Sequence, residues 1–190
     1  MTMTHQEALS VVAKHRRRQI VLTTMTSGGI WPTMSDTPLD FTYIPSAMGH
    51  GPALGLGLAL AQPERGVIVF NGDGCTLMNL GCLVTLASHP ANVYLLIMDN
   101  QLYEVTGGQR TAGAGHTHFA GLAQAAGIQR VYTFENVAAW SAGAAEALSG
   151  PGPVVIWLKI EGRLGQKTPK APHTLADQIN RMRLALGIGS

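Results

Sequence analysis

Short runs of apolar, β-branched and aromatic residues alternate along this chain with longer stretches in which apolar positions recur every three or four residues. The short runs predict strands over Ile20–Thr24, Phe41–Ile44, Val67–Phe70, Val93–Met98, Arg130–Phe134 and Val154–Leu158. The longer stretches predict helices over Thr4–His15, Gly51–Ala61, Thr76–Ser88, His118–Ala126, Val137–Leu148 and Thr174–Leu186. Between them lie breaks such as Gln62-Pro63-Glu64-Arg65-Gly66, His89-Pro90-Ala91-Asn92 and Gly150-Pro151-Gly152-Pro153. This alternation predicts an α/β fold, a three-layer αβα sandwich with a mostly parallel sheet. No repeat or linker interrupts the pattern, so one domain is expected over 1–190, with an extended arm and a helix at about 162–190.

Two strands end in chemically suggestive residues. Val67–Phe70 runs into Gly72-Asp73-Gly74, and after 24 intervening residues Val93–Met98 runs into Asp99-Asn100. Ligands of open α/β sheets collect beyond the carboxyl ends of the strands, so a carboxylate and a carboxamide arrive at one place. Mg²⁺ takes oxygen ligands, often one or two protein groups completed by substrate phosphates. Asp73 supplies an anionic oxygen for such a set, Asn100 a neutral one, and a backbone carbonyl near Leu102 a third. Gly72 and Gly74 let the backbone turn sharply and approach a bulky diphosphate. Cys75-Thr76-Leu77-Met78 opens a helix whose first N–H groups favour an anion.

The pattern resembles the diphosphate-binding motif of thiamine-diphosphate enzymes, Gly-Asp-Gly followed at a similar interval by Asn after Asn or Asp. The resemblance extends to Ser46-Ala47-Met48-Gly49-His50 and the small-residue helix Gly55-Leu56-Gly57-Leu58-Ala59-Leu60. Leu77-Met78-Asn79-Leu80-Gly81, Asp99-Asn100-Gln101-Leu102-Tyr103-Glu104-Val105-Thr106-Gly107-Gly108-Gln109 and Pro151-Gly152-Pro153-Val154-Val155-Ile156 are similar to the sulfopyruvate and phosphonopyruvate decarboxylase branch. It implies thiamine diphosphate and Mg²⁺ as cofactors, with Asp73, Asn100 and Leu102 as metal ligands. Met48, Gly49, Gly72, Gly74, Cys75 and Tyr103 would join those three around the cofactor, Cys75 through its backbone N–H. His50 is the candidate for proton transfer and Gln109 for substrate contact.

In this family a Glu on a second, pyrimidine-binding domain activates the cofactor. Glu7, Glu64, Glu104, Glu135, Glu146 and Glu161 fall on helices, turns or the diphosphate side. The resemblance therefore implies an α-type partner subunit carrying that domain, in an α2β2 or higher heteromer. The implied reaction is decarboxylation of a small 2-oxo acid. A carboligase subunit that forms a C–C bond and a non-catalytic cofactor-binding scaffold are the alternatives.

Composition narrows the remaining classes. Charged residues make up 13% of the chain where about a quarter is typical, which suggests surface buried against other subunits. A net charge of +2 makes no case for nucleic acid or membrane binding. Arg16-Arg17-Arg18 reads as the basic last turn of the first helix. Neither a leader pattern nor an apolar run of membrane-spanning length is present, so a cytoplasmic location is expected. Cys75 and Cys82 fall on one predicted helix, about 10 Å apart along its rise and beyond disulfide reach. Two cysteines are too few for the Cys₄ cluster of many ferredoxin-coupled oxidoreductases.

Several polar segments near the presumed site carry more than one reading. His116 and His118 lack carboxylate or thiol neighbours, so capping of the next helix outweighs a metal role. Thr106–Arg110 is either a loop that closes over substrate, with Gln109 or Arg110 meeting an anionic group, or a solvated loop. Met25-Thr26-Ser27-Gly28-Gly29-Ile30-Trp31-Pro32 reads as a loop leaving the first strand at the same edge.

Overall fold

The computed structural model describes residues 2–45, 47–167 and 169–188; Ser46, which belongs to the family-like segment, lies outside them. Thr4 opens α1 (His5–His15) with a reciprocal capping box, its hydroxyl accepting from the Glu7 N–H while the Glu7 carboxylate accepts from the Thr4 N–H. There follow β1 (Ile20–Thr23), α2 (Met25–Ile30), a 3₁₀ turn at Trp31–Thr33, β2 (Asp40–Thr42) and α3 (Gly51–Ala61). β3 (Val67–Gly72) passes directly into α4 (Asp73–Met78), then α5 (Gly81–Ser88) and β4 (Val93–Asp99). A small antiparallel hairpin, β5 (Leu102–Tyr103) and β6 (Gln109–Arg110), precedes α6 (Phe119–Ala125). The chain continues through β7 (Arg130–Phe134), α7 (Val137–Ala147), β8 (Val154–Lys159) and α8 (Leu175–Ala185).

Six strands form one sheet in the order β2-β1-β3-β4-β8-β7, every pair parallel. Side chains leave a strand alternately to its two faces, and the sequence supplies apolar residues to both. Ile68, Phe70, Leu96 and Ile156 pack under α1 and α7 against Leu9, Val12 and Trp140. Val67, Val69, Leu95 and Val155 pack under α3, α5 and α6 against Leu56, Leu83, Leu86 and Phe119. The expected αβα sandwich is therefore present, and its doubly covered sheet explains why Val67–Phe70 and Val93–Met98 are apolar at every position.

Three local expectations are corrected. The predicted helix Thr76–Ser88 is broken, because α4 starts at Asp73 and ends at Met78, and α5 starts only at Gly81. Asn79 sits in the break at φ −148°, its side chain donating to the Gly49 carbonyl at 3.0 Å. Cys75 and Cys82 consequently lie on different helices, both buried and reduced. Met25–Pro32 is helical rather than a loop, with Gly28 so close to β2 that an added Cβ would meet Ile44 at 2.6 Å.

The third correction concerns Arg16-Arg17-Arg18. Arg16 caps α1 and turns inward, its Nη2 3.1 Å from Asp40 Oδ1 with both side chains nearly buried. The same guanidinium donates to the Gln19 carbonyl at 3.0 Å and to Thr37 Oγ1 at 3.0 Å. It ties α1 to the segment entering β2, which begins at Asp40 rather than Phe41 and ends at Thr42. At that outer strand Gln178 of α8 accepts from the Thr42 N–H at 2.7 Å and donates to its carbonyl at 3.3 Å, covering an otherwise open sheet edge. Removing one partner of a buried ion pair strands the other charge. Arg16→Ala is expected to lower the unfolding free energy by about 3 kcal/mol, read by urea denaturation, whereas Arg18→Ala should change it by less than about 0.5 kcal/mol.

Candidate cofactor site

The winding of the sheet reverses between β1 and β3, since β2 lies outward of β1 while β3 and β4 build in the other direction. At such a switch point the loops leaving the strands diverge and open a crevice at their carboxyl ends. Here they enclose a cleft of about 450 Å³, its open mouth included. Thr24, Met25, Thr26 and Ser27 enter from β1, Gly72, Asp73, Gly74 and Cys75 from β3, and Asn100, Leu102, Tyr103 and Glu104 from β4. His5 and Met48 complete the wall.

Asp73 is 2% exposed and is the first residue of α4. Its Oδ2 accepts a hydrogen bond from Thr111 Oγ1 at 2.7 Å, and no basic side chain pairs with it among the described residues. Burial, with the Asp99 charge adding to it, pushes its carboxyl up to about 6 against the opposing pull of the Thr111 hydroxyl. Asn100 Oδ1 accepts from the Leu102 N–H at 2.9 Å and keeps a second lone pair. In the β5–β6 ladder the Thr111 N–H donates to the Gln101 carbonyl at 3.0 Å. Antiparallel pairs alternate, so Leu102–Arg110 is the non-hydrogen-bonded pair and the ladder leaves the Leu102 carbonyl unused.

This donor set of one carboxylate, one amide oxygen and one carbonyl suits a hard divalent cation. A Cβ added to Gly72 would meet nothing within 4 Å, which leaves room for a bulky anion beside Asp73. The residues therefore fit Mg²⁺ and a diphosphate. The glycines act differently from expectation, however. Neither has a positive φ, so the turn itself does not require them. Gly74 is needed because Tyr103 packs on it, an added Cβ coming within 2.2 Å of the ring. Burial raises the Cys75 thiol and keeps it protonated, and pushes the Cys82 thiol up to about 11.

The backbone around the cleft is strained at two non-glycine residues. Met25 has φ 46° and Gln101, between Asn100 and Leu102, has φ 61°. Such left-handed residues cost about 1–2 kcal/mol each and persist where surrounding contacts hold them.

The structure does not bring every expected residue to the cleft. His50 is exposed, with Nδ1 3.4 Å from the Met48 carbonyl, and does not line it. Gly49 lies one residue outside, its φ of 87° setting the turn and its carbonyl receiving Asn79. Gln109 folds back on its own hairpin, donating to the Thr106 carbonyl at 3.1 Å and accepting from Thr106 Oγ1 at 3.3 Å, and does not line the cleft. Arg110 reaches the Ala114 carbonyl at 3.3 Å. His118 caps α6, accepting from the Gly121 N–H at 2.8 Å.

Three groups escaped the sequence reading. Glu104 is 4% exposed and accepts from Thr26 Oγ1 and from the Arg163 N–H, both at 2.8 Å, joining α2, the hairpin and the arm. Its carboxylate is thus occupied on both oxygens. His5 Nε2 lies 2.8 Å from Ser27 Oγ, and burial lowers its pKa to about 4, leaving a neutral imidazole. Thr111 supports Asp73 as described. The Gly107-Gly108 pair was a signal that the chain returns here and brings Thr111 back beside Gln101; His5 gave no signal.

A family model described as thiamine pyrophosphate enzyme, C-terminal TPP binding domain, matches residues 23–158. The chain belongs to this family. The match spans β1 to β8 and so contains Asp73, Asn100 and every strand end of the cleft. Phosphonopyruvate decarboxylase of Streptomyces hygroscopicus is 39% identical over 150 residues, 76% of this chain and 36% of its own length. Sulfopyruvate decarboxylase subunit beta of Methanothermobacter thermautotrophicus is 48% identical over 80 residues, 42% of each chain. The chain thus spans about two fifths of the length of these curated relatives. An X-ray structure assigned to a thiamin diphosphate-dependent enzyme from Mycobacterium smegmatis superposes with a TM-score of 0.71 at 20% identity. It covers 85% of this chain and 32% of that one, and establishes the fold.

In this thiamine pyrophosphate family member the Asp73 carboxylate carries a testable pH signature. A carboxyl raised in the folded state from 3.8 to about 6 stabilises the metal-free fold below pH 4, and that contribution is lost as pH rises through 6. Asp73→Asn is therefore expected to stabilise the metal-free chain at pH 7.5 by roughly 3 kcal/mol, with the difference vanishing near pH 4. Denaturant titrations of both proteins in a chelator across that range measure it.

Proposed function

We propose that this chain binds the diphosphate and metal in a thiamine-diphosphate- and Mg²⁺-dependent 2-oxo acid decarboxylase, with a partner subunit completing the site. The observation that carries this reading is the buried Asp73 carboxylate, with no basic side chain paired to it among the described residues, set beside Asn100 at adjoining strand ends. Asp73, Asn100 and the Leu102 carbonyl would hold Mg²⁺, and backbone N–H groups at the start of α4, that of Cys75 among them, would serve the diphosphate. Gly72 clears the approach. Met25 and Met48 give the cleft an apolar wall that keeps water from the reacting end. Thiamine diphosphate supplies the electron sink that accepts the pair released when a 2-oxo acid loses carbon dioxide.

The activating Glu is assigned to an α-type partner carrying the pyrimidine-binding domain, in an α2β2 or larger assembly. Two observations support this. Glu104, which lines the cleft, is held in place by Thr26 on one oxygen and the Arg163 N–H on the other. The name of the M. thermautotrophicus relative also makes it one subunit of a decarboxylase. The relatives favour decarboxylation over carboligation, with a small 2-oxo acid bearing a second anionic group as the substrate class.

Calorimetric titration of thiamine diphosphate with Mg²⁺ into this chain, alone and with its partner, tests the reading. Tight, Mg²⁺-dependent binding is expected only with the partner, and Asp73→Ala should abolish it. The chain alone should decarboxylate no 2-oxo acid. Binding that ignores Mg²⁺ or survives Asp73→Ala would remove the metal assignment, and binding without turnover in the complete assembly would favour the scaffold reading.

A further inference from the structure

We infer that Thr111 is the positioning residue of the cation site, orienting the Asp73 carboxylate while its own backbone is locked to the turn that carries Asn100 and Leu102. The inference rests on the metal reading above and goes beyond it, because Thr111 lies outside the Gly-Asp-Gly and Asp-Asn segments.

Asp73 can accept hydrogen bonds on either oxygen, and its side chain could rotate between them. The Thr111 hydroxyl, 4% exposed, donates to Oδ2 at 2.7 Å, a charge-assisted bond inside a buried environment. That bond, with the backbone N–H groups of Asp73 and Gly74 that also bear on the carboxylate, holds the rotamer from a side chain outside the motif. Meanwhile the Thr111 N–H donates to the carbonyl of Gln101, the strained residue at φ 61° between the other two ligand positions. One residue therefore bonds both to the Asp73 carboxylate and to the turn that carries Asn100 and Leu102, tying the two together beyond the point where the β3–β4 ladder ends. Its methyl group also packs on Gly74, where an added Cβ would come within 3.1 Å of it. The hairpin from Leu102 to Arg110 serves to return the chain to this point, and Gln109 closes the hairpin on itself.

A hydrogen-bonding role and a packing role separate by substitution. Thr111→Val keeps the methyl contact and loses the hydroxyl, whereas Thr111→Ser keeps the hydroxyl and loses the methyl. Mn²⁺ serves as the probe, titrated into the chain with its partner at fixed thiamine diphosphate and followed by electron paramagnetic resonance. Thr111→Val is expected to weaken Mn²⁺ binding by about tenfold or more and to alter the bound-metal spectrum. Thr111→Ser should stay within about threefold of the parent and keep its spectrum. Loss in the Ser variant with retention in the Val variant would reduce Thr111 to packing and overturn the inference. Parent-like binding by both variants would overturn it as well, while Asp73→Ala still abolishing binding would leave the metal reading intact. Undiminished Mn²⁺ binding by Asp73→Ala would instead remove the metal reading, and the inference with it.

Discussion

The rest of the site depends on a buried carboxylate with no basic side chain paired to it among the described residues. Asp73 follows the end of a strand buried on both faces, opens the helix after it and is 2% exposed. Such a group is costly to ionise, as its elevated pKa records. A cation would reverse that cost, and the proposed metal role accounts for the neighbouring features together. Asn100 and the Leu102 carbonyl add oxygens without adding charge. Gly72 leaves space for an anion to complete the shell, and the Thr111 hydroxyl fixes the carboxylate.

The fold explains why these groups meet. Asp73 and Asn100 come from strands paired in register, so Gly72 faces Met98 and each following residue steps out at the same edge. The position of β1 next to β3, with β2 wound the other way, adds the α2 segment as an opposite wall. The crevice is a consequence of strand order, and the chemistry comes from which residues stand at the strand ends. His5 belongs to this frame rather than to the chemistry, since burial keeps its imidazole neutral and Ser27 holds one nitrogen.

Most of this was legible because it is written in short range. Apolar runs marked all six sheet strands, and the ends of two of them carried the polar residues that matter. Two of the misreadings share a cause: a tertiary contact overrides local pattern. Thr76–Ser88 has an unbroken helical pattern, yet Asn79 leaves the helix to bond Gly49. Arg16 looks like a helix-end charge but finds Asp40, far along the chain. His50 and Gln109 looked chemical by proximity to the motif, and their side chains turn to their own backbone neighbourhood. Glu104 looked like one acid among six, and only the arm's return past it made it a buried junction.

That junction also accounts for the strain. Met25 and Gln101 occupy left-handed backbone without the freedom of glycine, one on each side of the cleft. Each is followed closely by a residue anchored across the site: Thr26 donates to Glu104, and the Gln101 carbonyl receives Thr111. Relaxing either residue would withdraw a donor or acceptor from a buried polar group, a cost of about 1–3 kcal/mol that is of the same order as the strain and opposes its release. The Arg163 N–H on Glu104 adds the arm to the same network, so the chain after β8 is bonded to the wall of the cleft. Strain, buried carboxylates and the arm are therefore parts of one hydrogen-bonded unit, and it fixes the wall of the cleft on the side of the Leu102–Arg110 hairpin.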